Sequence, residues 1–360
     1  MTEHTFIPET YSKTINNGSY TWSSPSNIAL VKYWGKKESQ IPENPSVSFT
    51  LDYCKTTTKL SFSKKDSNDD FSFEVLLDGE QKEDFKPKIE TFFKRIERYL
   101  PFLKEYHFKI ETSNTFPHSS GIASSASGMS ALAVCLMSIE RELNEQISDE
   151  FFNKKASFLA RLGSGSACRS IEGDLIVWGA HEDIEGSSNF FGIKYPFEVH
   201  KNFKNYQDTI LLVDKGEKQV SSTVGHNLMH DHPYATQRFA QAHDNLSKLI
   251  SVFQNGDLNA FVKIVESEAL TLHAMMMTSM PYFILMKPNT LEIINKIWLY
   301  RTNNDSNICF TLDAGANVHV LYPENEKDNV LEFIKNELVG FCQNGHYICD
   351  QIGFGANQIQ

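Results

Sequence analysis

The sequence predicts an α+β protein in two domains. Three observations carry that expectation. Strand-like and helix-like stretches mix along the chain without a strict strand–helix–strand alternation. At 360 residues the chain is longer than most single domains. Periodicity fades between 185 and 205, where "DIEGSSNFFG" reads as a loop or exposed insertion. A soft boundary therefore falls near 200, dividing the chain into 1–203 and 204–360.

The elements follow in order. Asn27 to Val31 reads as a buried strand. "TTTKLSFS" (56–63) and "FSFEVLL" (71–77) are β-branched or alternating, with polar "KKDSNDD" between them and an Asp78-Gly79 turn after them. "PKIETFFKRIERYL" (87–100) sets Ile89, Phe92, Phe93 and Ile96 at helical spacing, with Pro87 suited to the first turn. "YHFKIETS" (106–113) is strand-like. The apolar run from Met129 to about Leu143 and "FFNKKASFLARLG" (151–163) predict helices, and "DLIVWGA" (174–180) a strand. Past the boundary, "DTILLVD" (208–214) is a strand, followed by helical patterns at about 235–254, 258–277 and 289–302. Asp257 is available to cap the second of these. "NICFTLD" (307–313) and "VHVLYP" (318–323) are strands on either side of "AGAN". "NVLEFIKNELVGF" (329–341) predicts a helix, and "GHYICDQIGFG" (345–355) a last strand.

Composition narrows the function. With 41% hydrophobic and 12% aromatic residues the chain can bury a substantial core. No 18-residue apolar run is present, so no membrane helix is expected, and "MTEHTFIPET" lacks the pattern of a signal peptide. A net charge of -11 disfavours a general nucleic-acid binder but leaves room for a local basic pocket. The six cysteines are scattered without a CxxC, which suits free thiols in a reducing cytoplasm. "HNLMHDH", with His226, His230, Asp231 and His232, could hold a metal, but no zinc spacing accompanies it. A solvated helix end or loop is expected there, and no metal ligand is assigned.

Four stretches can carry chemistry. In "FPHSSGIASSASGMSALAVCLM" (116–137), glycines and serines precede an apolar run. Glycine permits close backbone approach, serine adds hydroxyl donors, and a helix N-terminus offers unpaired N–H groups, so the stretch can cradle phosphate. It equally fits a connector capped onto a core helix, and it is not a Walker A loop. "SSPSNIALVKYWGKK" (23–37) places three lysines within six residues, which suits an anion or a solvated basic turn. In "ARLGSGSACRSIEGDLIVW" (160–178), Arg169 sits in a small-residue turn after a helix and suits a carboxylate or phosphate, or a structural acid. In "FTLDAGANVHVLYP" (310–323), Asp313 ends a strand, where it could orient or deprotonate a hydroxyl, or simply start a turn.

In combination and order, these stretches resemble the mevalonate diphosphate decarboxylases, members of the GHMP kinase superfamily that also contains galactokinase, homoserine kinase, mevalonate kinase and phosphomevalonate kinase. The resemblance runs from about Ser24 to Gln358. It is densest in "NIALVKYWGKK", "NPSVSFTLD", "NTFPHSSGIASSASG", "ARLGSGSACRS", "VSSTVGHN", "LTLHAMMMTSMP" and "FTLDAGANVHVLYP". It implies a two-domain α+β GHMP kinase fold. The N-terminal domain is like ribosomal protein S5 domain 2, the C-terminal domain is ferredoxin-like, and the ligands lie in a cleft between them. The implied reaction converts mevalonate 5-diphosphate and ATP, with Mg2+, to isopentenyl diphosphate, carbon dioxide, ADP and phosphate.

The resemblance also implies roles. Asp313 matches the catalytic aspartate facing the C3 hydroxyl, and Lys32 the lysine near the reacting centre. Arg169 matches the arginine that holds the substrate carboxylate, with Ser164 and Ser166 as neighbouring substrate contacts. Tyr33 and Lys36 match residues on the diphosphate, and Ser222 and Thr223 another substrate-side segment. Ser120, Gly121, Ser124, Ser125 and Ala126 fall in the ATP-phosphate loop. The implied assembly is a homodimer taking a small-molecule substrate, with neither nucleic acid nor membrane as partner.

The chain departs from the family in three places. "PHSSGIASSA" stands where many members have "PTAAGLASSA", and "DAGAN" where they have "DAGPN". Near Gly79, where many members carry a diphosphate-binding arginine, the chain has Glu80, with Lys82 as a candidate replacement. That change keeps open a decarboxylase of mevalonate 5-phosphate or a mevalonate 3-kinase. A plain mevalonate 5-kinase fits "KYWGK" and "GSGSACR" poorly. A non-catalytic ligand sensor would not need Lys32, Arg169 and Asp313 together.

Overall fold

Two long antiparallel strands organise the first half of the molecule. The computed structural model describes residues 2–66, 70–117, 122–215 and 222–360, and of Ser222 and Thr223 the backbone alone. Strand β1 (Asn17–Val31) pairs with β2 (Ser46–Lys64) from Asn17↔Ser63 to Val31↔Val47, with register shifts between Pro25 and Asn27 and between Ala29 and Val31. Only the apolar end of β1 is legible in the sequence. Its earlier half is polar, and Pro25, which has no N–H to give a ladder, falls at an irregularity.

Five more strands of this sheet come from the first half, β3 (Ser72–Leu77), β4 (Glu80–Gln81), β5 (Tyr106–Asn114), β6 (Leu175–Trp178) and β7 (Ile193–Lys194). Strand β5 pairs antiparallel with β2 and parallel with β3, and β6 pairs with the start of β2. Asp78 and Gly79, both at positive φ, form the predicted turn between β3 and β4. Helices α1 (Lys86–Ile96), α2 (Ser124–Leu143) and α3 (Asp149–Gly163) bury a core that includes Leu60, Phe62, Phe93, Phe108, Leu136 and Phe158. Most residues of α2 are buried, as its small and apolar composition requires.

The second half contains an antiparallel sheet in the order β11–β8–β10–β9, from β8 (Gln207–Leu211), β9 (Cys309–Thr311), β10 (Val318–Tyr322) and β11 (Tyr347–Gln351). Its helices are α4 (Ser222–Asn227), α5 (Ala235–Asn255), α6 (Leu258–Thr278), α7 (Pro288–Asn304) and α8 (Lys327–Phe333). Asp257 caps α6 as expected, accepting the Ala260 N–H at 2.9 Å. The stretch expected as one helix over 329–341 instead passes from α8 into a π turn at Ile334–Leu338 and a 3-10 turn at Val339–Phe341. The wider turn keeps Phe333, Ile334 and Leu338 in the core, and Gly340 favours an end to the helix.

A shared apolar seam joins the halves: Ile28, Leu30 and Phe49 pack in one cluster with Leu246, Phe253 and Phe261. β12 (Asn357–Gln358) returns to pair with β1. On β11, the Asp350 carboxylate accepts the backbone N–H groups of Asp52 and Tyr53 at Oδ1, at 2.9 and 2.8 Å, and that of Cys54 at Oδ2, at 2.8 Å. Asp350→Ala strips these three donors, and the Gln351 N–H that Oδ1 also accepts at 2.8 Å, of their acceptor. We expect a loss of about 3 kcal/mol in unfolding free energy by urea denaturation. A loss below about 0.5 kcal/mol would show that the carboxylate is not needed there.

Candidate active site

The site grows from the end of β1. Lys32 follows its last residue and is held through its backbone: its N–H donates to Glu268 Oε2 at 2.9 Å, and its carbonyl accepts from Asn44 Nδ2 at 2.9 Å and Arg238 Nη2 at 3.0 Å. Glu268 on α6 and Arg238 on α5 are wholly buried and joined at 2.5 and 3.0 Å, with Asn245 adding a bond at 2.7 Å. The backbone so fixed aims the Lys32 ammonium at Asp313 Oδ1, 2.9 Å away. Asp313 follows β9, and its carbonyl accepts His273 Nε2–H at 3.1 Å. Lys32 is 2% exposed and Asp313 32%, so the carboxylate is the partner that opens to the cavity. Burial pulls the lysine below its usual range, with Asp313 opposing that shift and Arg169 adding to it.

Arg169 lies in the 3-10 turn Gly165–Ser170 after α3. Its Nε donates to Asn27 Oδ1 at 3.2 Å and its Nη1 to Ser46 Oγ at 2.5 Å. Asn27 in turn donates to Ser170 Oγ at 2.8 Å and the Ser166 carbonyl at 3.2 Å. These hydrogen-bond partners are neutral, so they orient the guanidinium without neutralising it. Ser164 Oγ lies 3.3 Å from Ser125 Oγ at the start of α2. Ala123 precedes that helix in a left-handed conformation, and Ser26 Oγ ties the loop to β1 by donating to the Ile122 carbonyl at 2.6 Å. The Tyr33 hydroxyl is buried without a hydrogen-bond partner among the described residues, and burial pushes its pKa up.

These groups line one cavity of about 570 Å³. From the first half come Lys32, Tyr33, Lys36, Ser124, Ser125, Ser164, Ser166 and Arg169, and from the second Asp313 and His226. Ala126 is buried just inside α2 and does not line it. Among the described residues, four cationic side chains, Lys32, Lys36, Lys88 and Arg169, line it with one carboxylate, Asp313, so an acidic chain holds a local anion site. Ser120 and Gly121 lie outside the described residues, as do the side chains of Ser222 and Thr223, whose backbone opens α4.

Sequence reasoning missed Lys88, His226 and the Asn27–Ser46 cradle under Arg169. The one signal for Lys88 was its place in the first turn of α1 beside Pro87, toward the cavity. Glu80 and Lys82 pair with each other at 3.7 Å and do not line it. His232 spends both ring nitrogens on the fold: Nε2 bonds the Met275 carbonyl at 3.1 Å and Nδ1 accepts from Tyr234 N–H at 3.2 Å. His181, Glu182 and His243 also cluster, but the two imidazoles stack at 18° with centroids 4.5 Å apart, so their in-plane lone pairs do not converge on one ion.

Comparison with known proteins bears on this arrangement. A family model described as the diphosphomevalonate decarboxylase-like N-terminal domain matches residues 24–190. A second, the mevalonate 5-diphosphate decarboxylase C-terminal domain, matches residues 209–352. A Rattus norvegicus protein named diphosphomevalonate decarboxylase is 27% identical over 336 residues, spanning 87% of this chain and 78% of that protein. A Ganoderma lucidum protein of the same name is 28% identical over 360 residues, spanning 94% and 86%. The structure of mevalonate diphosphate decarboxylase from Staphylococcus aureus superposes with a TM-score of 0.81 at 26% identity, covering 96% of this chain and 98% of that one. A structure described as MDDEF in complex with MVAPP, AMPPCP and magnesium gives the same TM-score of 0.81 at 26% identity, covering 96% and 99%.

The buried histidine behind Asp313 makes the site sensitive to acid. Burial lowers His273 to about 4, whereas an unfolded histidine titrates near about 6.5. Below that value the unfolded chain binds a proton that the folded one refuses. Stability therefore falls as pH drops from about 6.5 to about 4, by up to about 1.4 kcal/mol per unit from this group. His273→Gln keeps a donor for the Asp313 carbonyl and removes the titration. Urea melts between about pH 6 and pH 4.5 should show a slope shallower by about 1 kcal/mol per unit. An unchanged slope contradicts the buried neutral imidazole.

Proposed function

This chain belongs to the diphosphomevalonate decarboxylase family, and from that premise we propose which of its residues carry the ATP-dependent decarboxylation of mevalonate 5-diphosphate. The products are isopentenyl diphosphate, carbon dioxide, ADP and phosphate. The observation that carries the assignment is the Lys32–Asp313 pair, closed at 2.9 Å across the two halves and facing a cavity rich in cations.

The tertiary C3 hydroxyl is a poor leaving group until it is phosphorylated. Its oxygen attacks the γ-phosphorus of ATP, the bond to ADP breaks, and Asp313 orients the hydroxyl and takes its proton. Lys32 pairs with Asp313 and offsets charge on the phosphoryl in transfer. The C3–O bond then breaks and phosphate leaves with the electron pair. Arg169 holds the carboxylate, whose carbon departs as carbon dioxide while the electrons of the C1–C2 bond form the new double bond. Ser164 and Ser166 contact the substrate beside it. Of the residues that match the ATP-phosphate loop, Ser124 and Ser125 at the N-terminus of α2 line the cavity and would meet the ATP phosphates, with Ala126 buried behind them and Ser120 and Gly121 outside the described residues. The hydroxyls of Ser124 and Ser125 are hard oxygen donors that fit a magnesium ion carried by those phosphates, and such an ion would offset phosphate charge.

Tyr33, Lys36 and Lys88 receive the substrate's diphosphate, and the Ser222–Thr223 segment is the further substrate-side contact that the family resemblance implies. Lys88 supplies from α1 the cation that the hairpin at Glu80 lacks, which favours the diphosphate over the monophosphate or free mevalonate. A division at 203/204, a homodimer and a cytoplasmic location complete this reading. Sedimentation velocity tests the dimer. None of the described helices is long and apolar enough to cross a membrane.

Carbon dioxide and phosphate release should be measured with ATP, Mg2+ and mevalonate, its 5-phosphate or its 5-diphosphate. Stoichiometric release of both from the diphosphate is expected, and Lys88→Met should raise KM for that substrate about tenfold. Phosphoryl transfer without carbon dioxide would instead mark a kinase. Asp313→Asn should abolish turnover with ATP binding retained, and normal turnover by that variant would remove Asp313 from the reaction.

A further inference from the structure

His226 belongs to the cavity by geometry but has no part in the chemistry above. The short helix α4 can reach the "KYWGK" turn because residue 225 is glycine: a Cβ there would come within 2.5 Å of the Trp34 ring. This close approach inserts the His226 imidazole against Tyr33 and Trp34, with ring centroids 4.2 and 4.7 Å away. Its Nδ1 accepts the Gly35 N–H at 3.0 Å, so that nitrogen carries a lone pair. Burial, with Lys36 and Arg169 nearby, lowers the imidazole to about 3, so the ring is neutral. A neutral ring with a lone pair on Nδ1 carries its proton on Nε2.

That Nε2–H has no hydrogen-bond partner among the described residues, and His226 lines the cavity beside Lys36. The neighbouring Tyr33 hydroxyl is buried and also unpartnered. The Tyr33 donor is buried without an acceptor and the His226 donor belongs to a ring lining a cavity whose charged groups are mostly cations, so an arriving anion can satisfy both.

We propose that His226 is a substrate-recognition residue, donating Nε2–H alongside the Tyr33 hydroxyl to a phosphate oxygen of the phosphorylated substrate. The inference rests on the functional reading given above. It gives the phosphate end a directional, uncharged donor between the cations that supply most of the attraction. It also gives α4 a purpose: the helix brings to the binding turn a group that β1 does not carry.

Two substitutions separate recognition from support. In His226→Asn the amide oxygen can replace Nδ1 and keep the Gly35 bond, while the cavity donor is lost. In His226→Gln the amide nitrogen can replace Nε2, while the Gly35 bond is lost. Binding of mevalonate 5-diphosphate by calorimetry without ATP, and KM for it with ATP and Mg2+, should weaken about tenfold in the Asn variant. The Gln variant should recover at least threefold of that loss, and KM for ATP should move less than twofold in both. The reverse order, with Gln the weaker binder, would overturn the proposal and leave His226 as a prop for Gly35. If the two variants weaken alike, the 15N resonance of His226 Nε2 in the wild-type protein decides: a shift on adding mevalonate 5-diphosphate supports the contact, and no shift refutes it. An active wild type whose Asn variant binds normally defeats this inference alone. A wild type that does not turn over the diphosphate removes the functional reading and this inference with it.

Discussion

Glu268 lies wholly inside the protein, and its two oxygens accept four hydrogen bonds, from Arg238 Nη1 and Nη2, Asn245 Nδ2 and the backbone N–H of Lys32. A carboxylate taken out of water is several kcal/mol unfavourable unless it is both paired and hydrogen-bonded, and here it is both. The last of those four bonds crosses from α6 to the end of β1. With Arg238 on the Lys32 carbonyl, it fixes one residue's backbone from both sides. The direction of the Lys32 side chain, and so its 2.9 Å contact with Asp313, follows from that clamp. Glu268 and Arg238 thus act on the chemistry as positioning residues.

The electrostatics of the cavity depend on what its cations are paired with. Lys32 has an acidic partner that opens to the cavity, so part of its charge is spent on Asp313. Arg169 is oriented by the amide of Asn27 and the hydroxyl of Ser46, neutral groups that leave its charge facing the cavity. Both cations are buried, where charge–charge interaction is stronger than in water. A chain with net charge -11 therefore concentrates positive potential where two polyanionic substrates must meet.

How much of this was legible in the sequence depends on range. The core helices, the Asp78-Gly79 turn and the Asp257 cap are set by neighbours a few residues away, and periodicity or turn chemistry reveals them. Arg169 and Asp313 stand out because small-residue turns present them, and Lys32 because it opens a run of three lysines within six residues. The first half of β1 was missed because its partners, rather than its own polar residues, make it a strand. Glu268 and Arg238 read as ordinary polar positions on long helices, since nothing local shows that they are buried against each other 30 residues apart. His226 was hidden for a related reason. Beside His230 and His232 it reads as part of a solvated turn, and only the tertiary approach of Gly225 to Trp34 turns it into the cavity.

The central claim is that the buried Glu268 clamp sets the reacting pair. It is tested by kcat of Glu268→Gln, measured at a temperature where denaturation curves show the variant to be fully folded, with ATP affinity measured in parallel. A displacement of Lys32 by about 1 Å is enough to cost on the order of 100-fold in rate. The account predicts a fall of that order in kcat with ATP affinity little changed. A folded Glu268→Gln enzyme with wild-type kcat would show that Lys32 and Asp313 find each other without the clamp.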